Sequence, residues 1–98
     1  MGPLQVRVME ETDFDYAVRL TDMAEWDFTV ADFAWMKRLQ PDGCLMAAVD
    51  GRRAGLATTI SYGEVGWMGN VIVDPRYRSQ GVGSELVRKA SDYLQSRG

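Results

Sequence analysis

A strand that passes through a proline turn into a glycine-rich helix start most constrains the fold of this chain. The β-branched residues at positions 71–73 favour a strand, and Pro75 cannot continue its hydrogen-bond ladder. Gly81 and Gly83 then open a segment whose apolar residues recur every three or four positions, as in a helix packed on one face. That predicted stripe is Val82, Leu86, Val87, Ala90, Tyr93 and Leu94.

The start of this helix has the features of an anion-binding site. The first turn of a helix carries N–H groups without intrahelical acceptors and the positive end of the helix dipole. Glycines at Gly81 and Gly83 let a phosphate approach the backbone closely. We therefore interpret the segment as a diphosphate-binding loop.

Two well-known nucleotide loops fit these residues poorly. The Walker pattern requires a lysine and then Ser or Thr after its last glycine, but Gly83 is followed by Ser84 and Glu85. The dinucleotide fingerprint requires a third glycine, and Leu86 occupies that position. Another kind of phosphate loop is indicated.

Residues 78–83, Arg-Ser-Gln-Gly-Val-Gly, match the pattern Q/R-x-x-G-x-G/A at every fixed position. The segment thus resembles motif A of the GNAT superfamily of acyl-CoA-dependent N-acyltransferases. Residues 73–77, Val-Asp-Pro-Arg-Tyr, are also similar to the strand exit of that family. The alternative is a strand, turn and helix whose glycines serve only close packing.

The resemblance implies an α/β (α+β) fold with a GNAT-like mixed sheet. The elements predicted along the chain follow the order β-α-α-β-β-β-α, as in the N-terminal half of a GNAT domain. A complete member continues with a fifth strand, a fourth helix and a hairpin. We therefore expect residues 1–98 to form a single domain that ends after the third helix and lacks the C-terminal half of the fold. Its fourth strand would have an open edge, which favours a homo-oligomer.

Two capping patterns predict the first two helices. Thr12 with Asp15 predicts a helix that continues to about residue 24, and Thr29 with Asp32 predicts a second that ends before Pro41. The buried stripe of the first helix is predicted to be Phe14, Ala17, Val18 and Met23.

Apolar and β-branched segments predict strands at residues 4–9, 44–49 and 54–61. Asp50 and Gly51 are a hairpin signal between the last two. The single cysteine, Cys44, is expected inside a strand as a small hydrophobic residue.

The resemblance also implies how a cofactor binds. In GNAT enzymes an amine attacks the thioester of acetyl-CoA, while main-chain groups of the fourth strand hold the pantetheine and polarise the acyl carbonyl. Fixed N–H donors stabilise developing negative charge without reorganisation. Carried over by position, the cofactor-binding residues are Val71, Ile72, Val73, Arg78, Ser79, Gln80, Gly81, Val82, Gly83 and Ser84.

The resemblance leaves the catalytic residues open. Trp67 occupies the position of the glutamate base that histone-type members carry on the fourth strand. Glu64 could act as a base through a water or be a solvated turn residue, and Asn70 could hydrogen-bond substrate or belong to a bulge. Trp26 and Phe28 are candidate acceptor contacts, with core packing as the alternative for at least one of them.

Composition argues against several other classes of protein. A net charge of -3 argues against a nucleic-acid partner. One cysteine and no histidine exclude an internal disulfide, thiol or imidazole metal sites and Ser/His/Asp catalysis. Signal-peptide and membrane-span patterns are absent from the sequence, so we expect a cytoplasmic location with no membrane partner.

Three functions remain open at this point. The first is an N-acetyltransferase domain that binds acetyl-CoA and transfers the acetyl group to an amine, and the motif favours it. The second is a noncatalytic acyl-CoA-binding module. The third is a structural half-domain completed by another chain through its open strand edge. The acceptor amine is not identified by these residues.

Overall fold

The computed structural model describes residues 3–62 and 65–97, which contain four strands and three α-helices. In chain order they are β1 Leu4–Val8, α1 Phe14–Met23, α2 Val30–Leu39, β2 Cys44–Val49, β3 Arg52–Tyr62, β4 Val65–Val73 and α3 Val82–Arg97. Short 3-10 turns at Glu11–Asp13 and Pro75–Tyr77 precede α1 and follow β4. The predicted order β-α-α-β-β-β-α is confirmed.

The four strands form one sheet in the order β1-β2-β3-β4, and each neighbouring pair is antiparallel. The hairpin between β2 and β3 turns at Asp50, with φ 53°, and Gly51, with φ 80°. Positive φ at both central residues is the geometry of a tight hairpin turn, so the Asp-Gly signal is confirmed. β4 lies at the end of the strand order.

The helices form two outer layers because the strands bury side chains on both faces of the sheet. Met46 and Leu56 belong to the cluster that includes Phe14, Leu20 and Phe33 from α1 and α2. The neighbouring strand residues belong to a second cluster with α3, and its members include Ala47, Ala57, Leu86 and Ala90. Alternation along a strand therefore places α1 and α2 on one face and α3 on the other.

The predicted capping pattern of α2 is confirmed. The backbone N–H of Asp32 donates to Thr29 Oγ1 at 3.2 Å, and the N–H of Thr29 donates to Asp32 Oδ2 at 2.8 Å. This reciprocal pair satisfies two of the N–H groups that a helix start leaves without acceptors.

The predicted cap of α1 by Thr12 and Asp15 is wrong, because the chain turns earlier. Thr12 lies inside the 3-10 turn, and the carboxylate of Asp13 accepts the N–H of Glu10 at 2.8 Å. Asp13 is fully buried, where Arg7 donates two hydrogen bonds at 2.6 and 2.9 Å and Arg53 Nε donates one at 2.7 Å. This three-element ion cluster fixes where the helix begins.

The charge state of Asp13 follows from its neighbours. Burial on its own raises the pKa of this carboxyl group, but hydrogen bonds from Arg7, the Glu10 N–H and Arg53 outweigh burial and hold the pKa well below its ordinary value. The buried side chain is therefore an ion that joins β1, β3 and the start of α1.

Two residues of the predicted buried stripes are exposed. Met23 is 62% exposed, because the buried face at the end of α1 is centred on Leu20 and Thr21. Val87 is 43% exposed, because Leu86 and Ala90 face the sheet and residue 87 lies one step round the helix.

Cys44 is fully buried at the start of β2. Burial raises the pKa of its thiol to about 11, and the charge of Lys37 opposes that rise only in part. The side chain is a neutral thiol in the core, which confirms its prediction as a small hydrophobic residue.

Within residues 3–62 and 65–97, acidic and cysteine side chains do not gather in groups of three or more that could hold a metal ion. Over the same ranges, every helix is too short or too polar to cross a bilayer.

Candidate functional site

The β4–α3 loop, residues 74–81, leaves the sheet where the sequence predicts. The N–H of Asp74 makes the last bond to the neighbouring strand, donating to the carbonyl of Ala54 at 2.8 Å. Pro75 then begins a 3-10 turn that ends at Tyr77, and α3 starts at Val82. The loop therefore carries the chain from the end of β4 to the N-terminus of α3.

Two residues of the loop have left-handed backbone conformations. Ser79 has φ 67° and Gly81 has φ 80°. Left-handed residues at alternate positions turn successive N–H groups toward one side, which is a common arrangement around bound anions. The glycine was recognised from the motif, whereas nothing in the sequence marked Ser79 for this conformation.

The start of α3 presents a row of backbone donors. The first bond into the helix is donated by Glu85 N–H to the carbonyl of Gly81 at 3.1 Å. The N–H groups of Val82, Gly83 and Ser84 lie before that bond, so they point out of the helix end. The dipole of α3 adds positive potential at the same place.

A cleft of about 250 Å³ lies in front of these donors. It is lined by Val73, Tyr77, Arg78, Ser79, Gly81, Val82, Gly83 and Ser84. Arg78 supplies the charged side chain among them. Of the ten cofactor-binding residues predicted from the motif, the structure thus places seven around one cleft.

The two motif glycines leave different amounts of space. A Cβ built on Gly81 would meet no atom within 4 Å, so the space around this position is open. A Cβ on Gly83 would lie 3.3 Å from Cγ2 of Val73, a tight contact. Gly81 is therefore required for its backbone conformation, and Gly83 serves packing as well as access.

The cationic residues near the loop are not equivalent. Arg76 pairs with Asp74 at 2.9 Å, and Arg88 pairs with Glu85 at 2.6 Å and with Asp92 at 3.4 Å. Arg78 is the one of these arginines that lines the cleft. The helix N-terminus and Arg78 together make the cleft a candidate anion site.

Asp74 is a buried residue that the motif did not single out. Its carboxylate accepts the hydroxyl of Tyr16 at 2.8 Å and the backbone N–H of Arg76 at 2.9 Å, and it also pairs with the Arg76 guanidinium. Hydrogen bonding from Arg76, opposed by burial and assisted by Tyr16, lowers the pKa of Asp74 to about 2. Burial, together with the hydrogen bond to Asp74, raises the pKa of Tyr16.

β4 contains a bulge just before the loop. Leu56 pairs with Ile72 and Thr58 pairs with Gly69, so Asn70 and Val71 lie opposite the single residue Ala57. The Thr58 hydroxyl donates to the Gly69 carbonyl at 3.1 Å beside this irregularity. A bulge re-aims the local main chain, and Asn70 is part of it, which is one of the two roles considered for that residue.

The side chains of the last three strand residues face the two cores. Ile72 packs against the cluster under α1 and α2, while Val71 and Val73 pack against the cluster under α3. A ligand at the outer edge of β4 would therefore meet main-chain groups, as the resemblance implies.

The candidate acceptor contacts separate into one packed and one exposed ring. Phe28 is half-buried and its ring centroid lies 5.7 Å from that of Phe33 in the core. Trp26 is 36% exposed and meets Phe28 edge to face at 6.3 Å. Neither ring lines the cleft in front of α3. Core packing for one of the pair is confirmed, and acceptor contact remains a prediction.

Two other predictions lie partly or wholly outside the described residues. Glu64, a candidate base, lies outside them. Asn70 is located only by its backbone in β4, so its catalytic role also remains a prediction.

Comparisons with known proteins bear on the family and on the fold of the chain. The model of the Acetyltransferase (GNAT) family matches residues 6–98. An uncharacterized N-acetyltransferase of Methanocaldococcus jannaschii is 30% identical over 73 residues, which are 67% of this chain and 32% of that protein.

Solved structures share the fold at low sequence identity. Ard1 from Thermoplasma volcanium superimposes with a TM-score of 0.88 at 21% identity, over 96% of this chain and 65% of that one. An N-acetylglutamate synthase from Neisseria gonorrhoeae, complexed with coenzyme A and N-acetyl-glutamate, gives 0.86 at 15% identity, over 100% of this chain and 24% of that one. The chain spans about a third of the curated relative and about two thirds of the Thermoplasma volcanium Ard1.

Proposed function

Because the chain belongs to the acetyltransferase (GNAT) family, we propose that it binds acetyl-CoA at the β4–α3 loop and transfers the acetyl group to an amine. The observation that carries the proposal is the convergence of left-handed loop residues, the helix N-terminus and Arg78 on one cleft. These features offer N–H donors and positive potential to a diphosphate.

The residues around the cleft fit the diphosphate of acetyl-CoA. Gly81 leaves open space where any other residue would place a side chain, so a phosphate oxygen reaches the backbone there. The N–H groups of Val82, Gly83 and Ser84 point out of the helix end toward the same cleft. On this proposal they hold the diphosphate, with Arg78, Ser79 and Gln80 forming the loop around it.

The strand contributes main chain rather than side chains. Acetyl-CoA supplies an acyl group activated as a thioester. Residues 71–73 present backbone N–H and C=O groups along the outer edge of β4, since their side chains face the cores. We propose that these groups hold the pantetheine and that N–H donors at the bulge polarise the acyl carbonyl.

The proton of the attacking amine needs an acceptor. Glu64 and Asn70 are our candidates for removing or orienting it, and Trp26 and Phe28 are the candidates for holding the acceptor amine. The exposure of the Trp26 side chain supports a role in acceptor contact. The amine itself is left unspecified, as are any residues that a longer relative would add to the cleft.

A second candidate is a noncatalytic acyl-CoA-binding module. It is favoured by Trp67, which stands where histone-type relatives carry their glutamate base. This candidate has the same cofactor site as the acetyltransferase, and it differs only in that bound acetyl-CoA is not consumed. Release of free thiol from acetyl-CoA in the presence of an amine separates the two.

An NMR titration with CoA tests the shared site. We expect the amide signals of Gly81, Gly83 and Ser84 to shift, while that of Gly51 in the β2–β3 hairpin stays in place as an internal reference. Unshifted loop amides in a folded protein would contradict the cofactor assignment.

A further inference from the structure

The loop that carries the proposed diphosphate site is tied to the opposite side of the sheet by one hydrogen bond. Tyr16 lies on α1, in the cluster that packs with Phe33, Met46 and Leu56. The loop leads into α3, which packs on the other face with Ala47 and Ala57. The Tyr16 hydroxyl donates to Asp74 Oδ2 at 2.8 Å, across 58 positions of sequence, and it also lies 3.2 Å from the carbonyl oxygen of Arg53 on β3.

Asp74 also accepts hydrogen bonds from other residues of the loop. One carboxylate oxygen accepts the N–H of Arg76 at 2.9 Å, which starts the 3-10 turn, and the Asp74 carbonyl accepts the N–H of Tyr77 at 2.8 Å. The Arg76 guanidinium donates to both carboxylate oxygens, at 3.2 and 2.9 Å, and lies 5.8 Å from the ring centroid of Tyr77. Tyr77 in turn lines the cleft in front of α3.

The two residues at the origin of this chain of contacts are well buried. Tyr16 is 8% exposed and Asp74 is 4% exposed, and both lie outside the lining of the cleft. Hydrogen bonds to a charged acceptor are among the stronger ones in proteins. Any influence of Tyr16 on a ligand in the cleft must therefore pass through the position of the loop.

We propose that Tyr16 and Asp74 are positioning residues, which hold the β4–α3 loop in the conformation that binds the diphosphate. The inference rests on the proposed function, since it concerns the same site. It adds a contact from α1 that the glycine motif does not contain. Loss of the Tyr16 hydroxyl leaves the Arg76 bonds to Asp74 in place but removes the hydrogen bond between α1 and Asp74, together with the contact to the Arg53 carbonyl.

Tyr16→Phe is the informative variant, because the ring is kept and only the hydroxyl is removed. Tyr93→Phe is its matched control: that hydroxyl bonds Gln40 Oε1, and Tyr93 lies outside the cleft lining. We expect the Kd for CoA to rise about tenfold in Tyr16→Phe and to change less than about twofold in Tyr93→Phe. Both proteins should lose some thermal stability.

Two readouts separate positioning from a general structural effect. Hydrogen exchange of the free protein should speed up at the hydrogen-bonded amides of Arg76, Tyr77 and Glu85 in Tyr16→Phe and not in Tyr93→Phe. Pantetheine, which lacks the diphosphate, should lose less affinity than CoA in Tyr16→Phe. A larger loss in Asp74→Ala than in Asp74→Asn would support a hydrogen-bonding oxygen at Asp74 as the point of attachment, and wild-type affinity in both variants would overturn it.

The outcomes distinguish this inference from the proposed function. If the wild-type protein binds CoA and Tyr16→Phe binds it equally well, the positioning role is overturned. If the folded wild-type protein binds no CoA, the proposed function fails, and unchanged exchange at the amides of Arg76, Tyr77 and Glu85 in Tyr16→Phe then overturns the positioning of the loop itself.

Discussion

Gly83 and Val73 lie so close that a Cβ on the glycine would stand 3.3 Å from Cγ2 of the valine. The first turn of α3 is thus packed against the last residue of β4. A side chain at position 83 must displace that contact by a few tenths of an ångström, which corresponds to about 1 kcal/mol. The same position faces the proposed diphosphate.

We predict that Gly83→Glu abolishes CoA binding while the domain stays folded. A carboxylate near a helix N-terminus is tolerated, but in the cleft it would occupy the place of the diphosphate and repel it. Gly83→Ala is the control, since it adds the same Cβ without the charge. Paired thermal melts and CoA titrations should give the two variants similar melting temperatures and very different affinities. Equal affinities would remove position 83 from the site.

A second prediction uses two glycines with the same left-handed backbone conformation. Gly81 and Gly51 both have φ 80° and no atom within 4 Å of a built Cβ. Alanine at either position should destabilise the protein by about 1–2 kcal/mol, because left-handed backbone disfavours a Cβ. Only Gly81→Ala should also weaken CoA binding, by at least about fivefold, because its N–H donors are displaced. Calorimetric titration of both variants decides, and equal affinities would argue that the loop conformation is not used for binding.

The elements that the sequence predicted well are those set by local chemistry. The Asp50-Gly51 turn needs positive φ at both positions, and the cap of α2 needs Thr29 and Asp32 three residues apart. The glycine motif likewise located the loop and the start of α3 within a residue. In each case the residues that specify the structure are neighbours in the chain.

The residues that were missed act through contacts between distant segments. Asp13 pairs with Arg7 and Arg53 from two strands. Because these ion pairs fix Asp13 at the start of α1, Thr12 does not cap the helix as expected. The bond between Tyr16 and Asp74 joins positions that share no sequence pattern. Such pairings depend on how helices lie on the sheet, so the periodicity of one segment does not contain them.

The third prediction concerns acid stability. The pKa of Asp13 is lower in the folded protein than the ordinary value near 4 that we take for the unfolded chain. As the pH falls, the unfolded state therefore binds more protons than the folded state does. The contribution of ionised Asp13 to the free energy of unfolding is complete at pH 7 and is lost progressively below about pH 5. Asp74, with a folded pKa of about 2, acts in the same direction.

Asp13→Asn tests this ion cluster. We expect the free energy of unfolding at pH 7 to fall by about 2–3 kcal/mol, because charged hydrogen bonds to Arg7 and Arg53 are weakened. The loss of stability between pH 6 and pH 3 should also become shallower, with Asp74 and Glu85, whose pKa values are both lowered in the folded protein, contributing to the remaining slope. Asp42→Asn, on an exposed turn, is the control and should stay within about 0.5 kcal/mol of wild type. Urea denaturation across that range measures both, and an unchanged slope in Asp13→Asn would contradict the assignment.

The fourth prediction concerns the outer edge of β4. This strand is last in the order of the sheet, and among the described residues its pairing is with β3 alone. An uncovered edge presents N–H and C=O groups to any other strand, so we expect the 98-residue chain to self-associate at micromolar concentration. The proposed path of the pantetheine runs along residues 71–73 of the same edge, so CoA should compete with strand pairing and shift the protein toward monomer.

Sedimentation velocity with and without CoA measures this competition. Gly83→Glu is the matched control, because it keeps the edge of β4 but should not bind the ligand, so its association should not respond to CoA. A wild-type protein that is monomeric across the micromolar range would show that the edge does not mediate association. Association that persists unchanged at saturating CoA would instead place the ligand away from the edge of β4, because one set of strand N–H and C=O groups cannot pair with a second strand and a pantetheine at once.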